Sequence, residues 1–112
     1  MALDLDRIRA AHERIRRHIH RTPVLTSARL DEAIGAKLFF KCENFQKIGA
    51  FKARGATNAV FSLDDGTSKR GVATHSSGNH GTALARAAKL RGIPAHIVTP
   101  TRSAARMLPV LA

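Results

Sequence analysis

The sequence is poor in cysteine, in acidic residues and in large aromatic side chains. Its 112 residues include one cysteine, no tryptophan, no tyrosine and five phenylalanines, and 8 acidic residues stand against 19 lysines and arginines. Since Cys42 has no partner in the chain, an internal disulfide and a thiolate metal cluster are excluded, which favours a reducing compartment. The shortage of aromatic side chains argues against a platform for stacking single-stranded nucleic acid. We therefore predict a cytoplasmic protein with no specific nucleic-acid partner.

Long hydrophobic runs are absent as well. No apolar stretch approaches the roughly 20 residues that span a bilayer, and residues 1–6 lack the apolar segment of a secretory signal. A hydrophobic content of 44% and a charged content of 24% are nevertheless ordinary for a globular domain. The formal net charge of +11 suits polyanionic partners, but the basic residues are scattered and form no block. The expectation is one globular domain, or part of one, with no membrane partner.

Hydrophobic periodicity predicts the elements of the first half of the chain. Apolar residues at helical spacing predict an amphipathic helix over residues 4–20, with Asp4 as its N-cap. A short extended piece follows, and then a helix that Ser27 caps and Gly35 ends. Alternating apolar side chains predict a strand over residues 37–43.

The second half has the pattern of an α/β protein. The predicted elements, in order, are a helix that closes at residues 64–66, a polar loop at 67–70, a buried strand at 71–75, a helix from the turn at 76–81 to Gly92, and a strand at 95–99. A strand, a helix and a strand in under about 30 residues predict a βαβ unit with parallel strands. Because an open sheet needs more strands than these, the predicted fold class is α/β, as an incomplete parallel-sheet βαβ fragment.

One lysine lies among unusually small neighbours. The neighbours of Lys52 include Gly49, Ala50, Ala53 and Gly55, and they leave space beside its amine. A lysine that must approach a carbonyl ligand needs such space, and an apolar setting would favour its neutral, nucleophilic form. The alternative is an ordinary lysine that extends from a helix start into solvent.

The turn at residues 76–81 is a second candidate site. It follows a predicted strand and opens a helix, which is where ligands bind in open α/β sheets. Its main-chain N–H groups suit a carboxylate or a phosphate, and Ser76, Ser77 and Asn79 add hydroxyl and amide groups. The alternative is a capped strand-to-helix turn with no ligand.

These two segments together resemble a known family. Residues 39–47, 49–56 and 75–81 are similar to the serine/threonine dehydratase and serine racemase family, which consists of fold type II pyridoxal-phosphate enzymes. The likeness extends from about residue 5 to Pro100 in unbroken order. It implies that the chain is the N-terminal portion of such an enzyme and that pyridoxal 5'-phosphate is its cofactor.

The resemblance also implies roles for individual residues. Lys52 would attach the cofactor covalently and act as the catalytic base, Phe51 would pack against the pyridine ring, and Asn79 would hydrogen-bond the ring hydroxyl. The substrate carboxylate would be held by the segment formed by Ser76, Ser77, Gly78, Asn79 and His80. The implied reaction is that of an ammonia-lyase, which converts L-serine, L-threonine or a similar 3-hydroxy amino acid into a 2-oxo acid and ammonia.

Ser77 supports an alternative within the same family. A racemase needs proton donors and acceptors on both faces of the substrate, and the Ser77 hydroxyl would supply the face opposite Lys52. Ser77 therefore makes the chain look closer to serine racemases and threo-3-hydroxyaspartate ammonia-lyases. Dehydration remains the first expectation because it requires only the lysine face.

The chain departs from the family pattern after the last predicted strand. The eight glycines include no cluster like the family's phosphate-binding loop. The acidic residues that some members use for a divalent metal lie later in family sequences. We expect residues 1–44 to join a larger domain, residues 45–100 to form the small-domain βαβ unit, and residues 101–112 to be an atypical, truncated tail. Alone, the chain is expected to bind cofactor poorly and to be close to inactive, whereas a full-length relative would be a homodimer or a larger homo-oligomer.

Two interpretations from other functional classes, an RNA-binding module and a metal site, remain open. The segment Gly78–Gly81 matches the GxxG pattern of KH-type RNA-binding modules, and the net charge would suit that role. The other interpretation is a metal site formed by a pair of histidines, either His75 with His80 or His18 with His20. Neither pair has a carboxylate or a thiol near it in the sequence to complete a set of metal ligands. No metal site is predicted.

Overall fold

The computed structural model describes residues 3–100, which form helices, a two-stranded antiparallel pair and a two-stranded parallel pair. In chain order the elements are α1 (Leu5–Ile15), β1 (Val24–Leu25), α2 (Ala28–Ile34), β2 (Phe40–Lys41), two 3-10 turns (Glu43–Phe45 and Lys47–Gly49), α3 (Lys52–Phe61), α4 (Asp65–Lys69), β3 (Val72–His75), α5 (Asn79–Arg91) and β4 (Ala95–Val98). None of the helices in this part of the chain is long and apolar enough to cross a bilayer.

The core lies where α3 packs against α5. Both helices present small residues to each other: Ala53 and Ala56 of α3 and Ala87 and Ala88 of α5 are buried. Small side chains let two helix backbones approach closely, and Val60 and Leu84 fill the space that remains, with Ala87 completing the cluster. This packing sets the distance between the two helices.

The predicted βαβ unit is confirmed. Strands β3 and β4 pair in parallel, with Val72 opposite Ala95 and His75 opposite Val98, and α5 connects them. Gly92 ends α5 with φ near 71°, the left-handed conformation that glycine adopts without strain. The carboxyl end of β3 therefore leads directly into the N-terminus of α5.

The predicted caps of the first two helices are also confirmed. The Asp4 carboxylate accepts a hydrogen bond from the Arg7 N–H at 2.8 Å, and the Ser27 hydroxyl accepts one from the Leu30 N–H. Gly35 ends α2 with φ near 72°.

Two predicted elements are shorter than their sequence patterns indicated. The first helix ends at Ile15, well before residue 20, because the following residues are held by other contacts: the His18 ring stacks on Phe61 and the His18 carbonyl accepts from Arg86. The strand predicted over residues 37–43 is reduced to β2. Ahead of β2, the Leu38 N–H donates to the Asp31 carboxylate and not to a neighbouring strand.

The segment between α3 and β3 was predicted wrongly. The expected polar loop at residues 67–70 lies largely in the helix α4, because the Asp64 carboxylate accepts a hydrogen bond from the Thr67 N–H and caps it. Asp64 therefore follows the end of α3, as predicted, and is also the N-cap of α4, which was not predicted. The strand expected to be buried, β3, alternates between half-buried and exposed residues, with Ala73 and His75 exposed.

The close approach of Gly71 to Pro94 generates a prediction about stability. Gly71 has φ near 79°, and a Cβ placed there would lie 2.6 Å from the Pro94 carbonyl oxygen. We expect Gly71→Ala to lower the free energy of unfolding by about 2 kcal/mol or more, from left-handed strain plus steric overlap. Gly35→Ala is the matched control, since Gly35 has a similar φ and open space around it. Urea unfolding should show a clearly larger loss for Gly71→Ala, and equal losses would contradict the steric argument.

Candidate functional site

Lys52 is the first residue of α3 and its side chain is exposed. Its ammonium group lies 5.2 Å from the centroid of the Phe51 ring, which is within reach of a cation–π contact. The described residues therefore do not give Lys52 the apolar surroundings expected from its small neighbours. They do leave room beside it, since a Cβ at Gly55 would meet nothing within 4 Å.

The predicted turn lies at the carboxyl end of β3. Ser76 accepts hydrogen bonds at its hydroxyl from the Gly81 N–H at 3.0 Å and from the Gly78 N–H at 3.4 Å. Its own N–H donates to the Val98 carbonyl and extends the parallel strand pair. Ser76 therefore fixes the turn against both α5 and β4, and only its hydroxyl hydrogen remains to be donated to a ligand.

The main-chain N–H groups of Asn79 and His80 lie at the N-terminus of α5. Both residues lie in the first turn of α5, where N–H groups have no acceptor within the helix. The helix dipole adds a partial positive charge at the same place. This end of α5 is thus suited to an anionic group.

A cavity of about 240 Å³ joins the two predicted segments. Its wall is formed by Phe51, Lys52, Gly55, Ala56, Ala59, His80 and Leu84. Of the predicted site residues, the structure therefore brings Phe51, Lys52 and His80 to one surface. Ser76, Ser77, Gly78 and Asn79 do not line this cavity and lie just before His80 in the chain. Ser77, Gly78 and Asn79 are exposed.

A second group of polar residues, which the sequence analysis missed, is centred on Arg54, two residues after Lys52. The Arg54 guanidinium donates two hydrogen bonds to the Glu43 carboxylate, at 2.7 and 2.8 Å, and the Thr22 hydroxyl donates a third at 2.6 Å. Arg54 and Glu43 have side-chain exposures of 30% and 20%. These contacts join residues far apart in the sequence, so the sequence carried no local signal for them.

Gln46 extends this group. It is buried, and its amide exchanges two hydrogen bonds of 2.8 Å with the main chain of His20. The signal that the sequence did offer was a glutamine near two hydrophobic residues, Phe45 and Ile48, in a segment without helical or strand periodicity. A buried amide in such a segment needs partners, because an unpaired one would be costly.

The Arg54 guanidinium controls the ionisation of Glu43. Its hydrogen bonds lower the pKa of the Glu43 carboxyl from 4.5 to about 2, with smaller contributions from Thr22 and Lys41, and against the opposing effect of burial. The pKa of Arg54 is correspondingly raised by its hydrogen bond to Glu43. The pair stays charged across the physiological range.

A larger cavity of about 530 Å³ lies elsewhere on the surface. It is lined by His12, Arg16, Ile19, His20, Arg21, Lys41 and Arg54. None of the site residues predicted from the sequence belongs to it.

The structure does not support the metal-site and RNA-binding interpretations of the histidine pairs and the GxxG pattern. His18 and His20 both lie beyond the end of α1, where His18 stacks on Phe61 and the His20 ring contacts the Phe45 carbonyl. Within residues 3–100 no three His, Cys, Asp or Glu side chains come close enough to hold a metal ion. In the segment Gly78–Gly81 the last three residues are helical and Gly81 is buried, so the pattern does not form an exposed loop.

Comparison with known proteins identifies the family. The sequence description of the family "Pyridoxal-phosphate dependent enzyme" matches residues 15–111. The chain belongs to this family. It is 67% identical over 91 residues to a beta-hydroxyaspartate dehydratase of Paracoccus denitrificans, an alignment that covers 81% of the chain and 29% of that protein. It is 58% identical over 104 residues to a serine racemase of Oryza sativa subsp. indica, covering 93% of the chain and 31% of that protein.

The fold agrees with that of a solved relative. The structure of maize serine racemase superimposes with a TM-score of 0.89 and 57% identity, covering 99% of the chain and 35% of that protein. The expected fold, a fragment of a fold type II pyridoxal-phosphate enzyme, is confirmed. The chain spans about 30% of the length of the two curated relatives.

Membership of the pyridoxal-phosphate-dependent family implies that cofactor, and the described residues fit part of it. Lys52 offers an amine for its aldehyde, the ring of Phe51 offers a flat apolar surface, and the open space at Gly55 leaves room between them. The cavity is smaller than the roughly 300–1,000 Å³ of complete ligand sites. Residues 3–100 therefore fit the aldehyde and ring portions of the cofactor, and no glycine-rich phosphate loop is recognisable among them.

The ionisation of Glu43 generates a prediction about pH. Because its pKa is about 2 in the folded chain and 4.5 ordinarily, the stability that it contributes is present above pH 4.5 and lost as the pH falls toward 2. We expect Glu43→Gln to lower the free energy of unfolding near neutral pH by about 2 kcal/mol, allowing for solvent screening of the pair. The difference from the unchanged chain should shrink as the solution is acidified.

The control for this measurement is Glu13→Gln. Glu13 forms an exposed ion pair with Arg16 at 2.7 Å, in which both side chains are more than half exposed. Its removal should change stability little at any pH. Denaturant unfolding at several pH values measures the free energy of unfolding of both variants. A loss of stability in Glu43→Gln that does not change with pH would contradict the assigned ionisation of Glu43.

Proposed function

We propose that this chain carries the lysine-bearing part of the active site of an ammonia-lyase that dehydrates L-serine, L-threonine or a similar 3-hydroxy amino acid. The observation that carries the proposal is the shared cavity: Lys52, at the start of α3, and His80, at the start of α5, line the same wall. A reactive amine and a helix N-terminus that favours an anion are the two groups that an amino-acid substrate requires. The similarity to a beta-hydroxyaspartate dehydratase supports this class of substrate.

In this proposal Lys52 has two roles. Its amine would hold the cofactor covalently between turnovers and would remove the proton from the α-carbon of the bound substrate. Bound pyridoxal phosphate supplies an electron sink for the electron pair left on that carbon. The β-hydroxyl group would leave as water by taking up the proton that Lys52 removed, and hydrolysis of the released enamine, by way of its imine, would yield a 2-oxo acid and ammonia.

The turn before α5 has the complementary role of orienting the substrate. The N–H groups of Asn79 and His80 are directed out of the helix start, where they and the adjacent Ser77 and Gly78 would hold the substrate carboxylate. The Ser76 hydroxyl keeps the turn in shape through its hydrogen bonds from Gly78 and Gly81. Asn79 would reach the hydroxyl group of the cofactor ring.

Serine racemisation is the second candidate function, and Ser77 favours it. The Ser77 side chain is exposed in the turn that follows β3, so it is free to exchange a proton with a substrate on the face opposite Lys52. Serine racemases are also among the similar proteins. We further propose a cytoplasmic location, in keeping with the single free Cys42.

Covalent mapping tests the role of Lys52. The chain is mixed with pyridoxal phosphate and reduced with borohydride, and the modified lysines are located by peptide mass spectrometry. We expect Lys52 to carry at least about ten times the label of an average lysine, because it borders a cavity that admits the cofactor. Lys52→Arg should abolish this label, whereas Lys69→Arg, an exposed lysine on α4, should leave it unchanged.

A label spread over surface lysines, with Lys52 spared, would contradict the proposal. Binding to RNA that weakens steeply with salt and does not depend on Lys52 would instead favour a nucleic-acid role for the net charge. Competition between RNA and the Lys52 label, measured at low and high salt, separates these outcomes.

Ser77→Ala distinguishes the two reactions. If Ser77 exchanges the proton on the second face, the substitution at the matching serine of a full-length relative should lower formation of D-serine from L-serine by about 10² or more, while formation of the 2-oxo acid is retained. Chiral chromatography measures the first product and a coupled reductase measures the second. Ser76→Ala is the control, since it removes a hydroxyl that caps α5 and should lower both reactions together.

A further inference from the structure

The start of α3, which carries Lys52, has no side-chain cap of its own. Phe51 precedes the helix and provides no side-chain hydrogen bond. In the first turn, the Ala53 N–H donates to the Ala50 carbonyl at 3.2 Å and the Arg54 N–H donates to the Phe51 carbonyl at 3.0 Å. Helix starts without a capping side chain fray more readily. Some other contact must therefore hold the turn from which the Lys52 side chain extends.

Arg54 supplies that contact. It lies two residues after Lys52, which places the two side chains about 200° apart around the helix axis. Lys52 faces the cavity, and Arg54 reaches back to the Glu43 carboxylate with two hydrogen bonds. A two-point, charge-assisted contact fixes orientation as well as distance. Any rotation of the first turn that moves Lys52 would have to break it.

The Glu43 carboxylate is itself held in place. It accepts a hydrogen bond from Thr22, and Gln46, three residues later, is fixed to the main chain of His20 by two more. Between Gln46 and α3 the chain makes a tight turn in which Ile48 and Gly49 both have positive φ, near 60° and 67°. A positive φ is unfavourable at isoleucine and persists only where the surroundings enforce it. The anchors on either side of this turn are Gln46 and Arg54.

We propose that Glu43 is a positioning residue for Lys52, acting through Arg54 to fix the first turn of α3. This inference rests on the proposed function, since it gives a purpose in the reaction to a contact between two residues that do not line the cavity beside Lys52. Glu43 touches neither cofactor nor substrate in this role. It determines the direction in which the Lys52 amine extends.

The test uses the whole chain, its Glu43→Gln variant and Glu13→Gln as the matched control. Hydrogen exchange of the amides of residues 50–56, measured without cofactor, should be at least about five times faster in Glu43→Gln, because the uncapped first turn loses its tertiary contact. Exchange in the second half of α5, where Ala87 and Ala88 are buried, reports the global loss of stability and serves as the reference for residues 50–56. Glu13→Gln removes an exposed ion pair on α1 and should behave like the unchanged chain.

A spectroscopic measurement then separates positioning from simple support of the fold. After pyridoxal phosphate is added, the visible circular dichroism per cofactor attached at Lys52 reports how asymmetrically the amine is held. We expect it to fall at least about three-fold in Glu43→Gln, in keeping with the sensitivity of such sites to small misplacements. Thr22→Val removes the contacts of the Thr22 hydroxyl with Glu43 and Arg54 but keeps the ion pair, so it should give an intermediate loss; it replaces Glu43→Gln in the test if that variant unfolds.

Each outcome has one meaning. Equal hydrogen exchange in the first turn of α3, or equal circular dichroism per attached cofactor, in Glu43→Gln and in the unchanged chain would overturn the positioning role and leave the proposed function intact. Failure of the unchanged chain to attach cofactor at Lys52 would overturn the proposed function and this role with it. Loss of signal in Glu13→Gln as large as in Glu43→Gln would also overturn the role, because it would show a general effect of charge.

Discussion

The close packing of α3 against α5 is the constraint on which the rest of the structure depends. The contact is made by small residues, Ala53 and Ala56 on one helix and Ala87 and Ala88 on the other, all of them buried. Larger side chains there would push the helices apart. Because the early residues of both helices line one cavity, the amine of Lys52 and the start of α5 at His80 meet there. The starts of α3 and α5, together with the ammonium group of Lys52, make that cavity electropositive.

Polar contacts set the second constraint, which concerns how the lysine-bearing helix joins the chain before it. The ion pair of Glu43 with Arg54 and the burial of Gln46 hold the chain on both sides of a turn that contains Ile48 in the left-handed region. Apolar packing fixes the distance between helices but allows rotation and sliding, whereas directed hydrogen bonds do not. The two kinds of contact thus have separate effects: alanines bring the helices together, and the carboxylate orients the first turn.

The sequence predicted those features that depend on local chemistry. Caps at Asp4 and Ser27, the glycine ends of α2 and α5, and the parallel strands around α5 follow from patterns within a few residues, and all are confirmed. The length of α1 was overestimated because the contacts of His18 with Phe61 and Arg86 join distant residues. The same reason hides the partners of Arg54 from the sequence. Lys52 and the turn before α5 were singled out by composition, and their shared cavity required the fold.

Several large apolar side chains of residues 3–100 are exposed to solvent. Leu25, Phe40 and Val98 lie on strand pairs of two strands each and are exposed, as is Phe51 beside Lys52, at 60%. Two-stranded sheets with uncovered apolar residues are marginal by themselves in water. The cavity, at about 240 Å³, is likewise a partial enclosure. Surface and cavity agree: residues 3–100 form a partly enclosed wall that carries the amine of Lys52 and the start of α5, and apolar side chains are exposed around it.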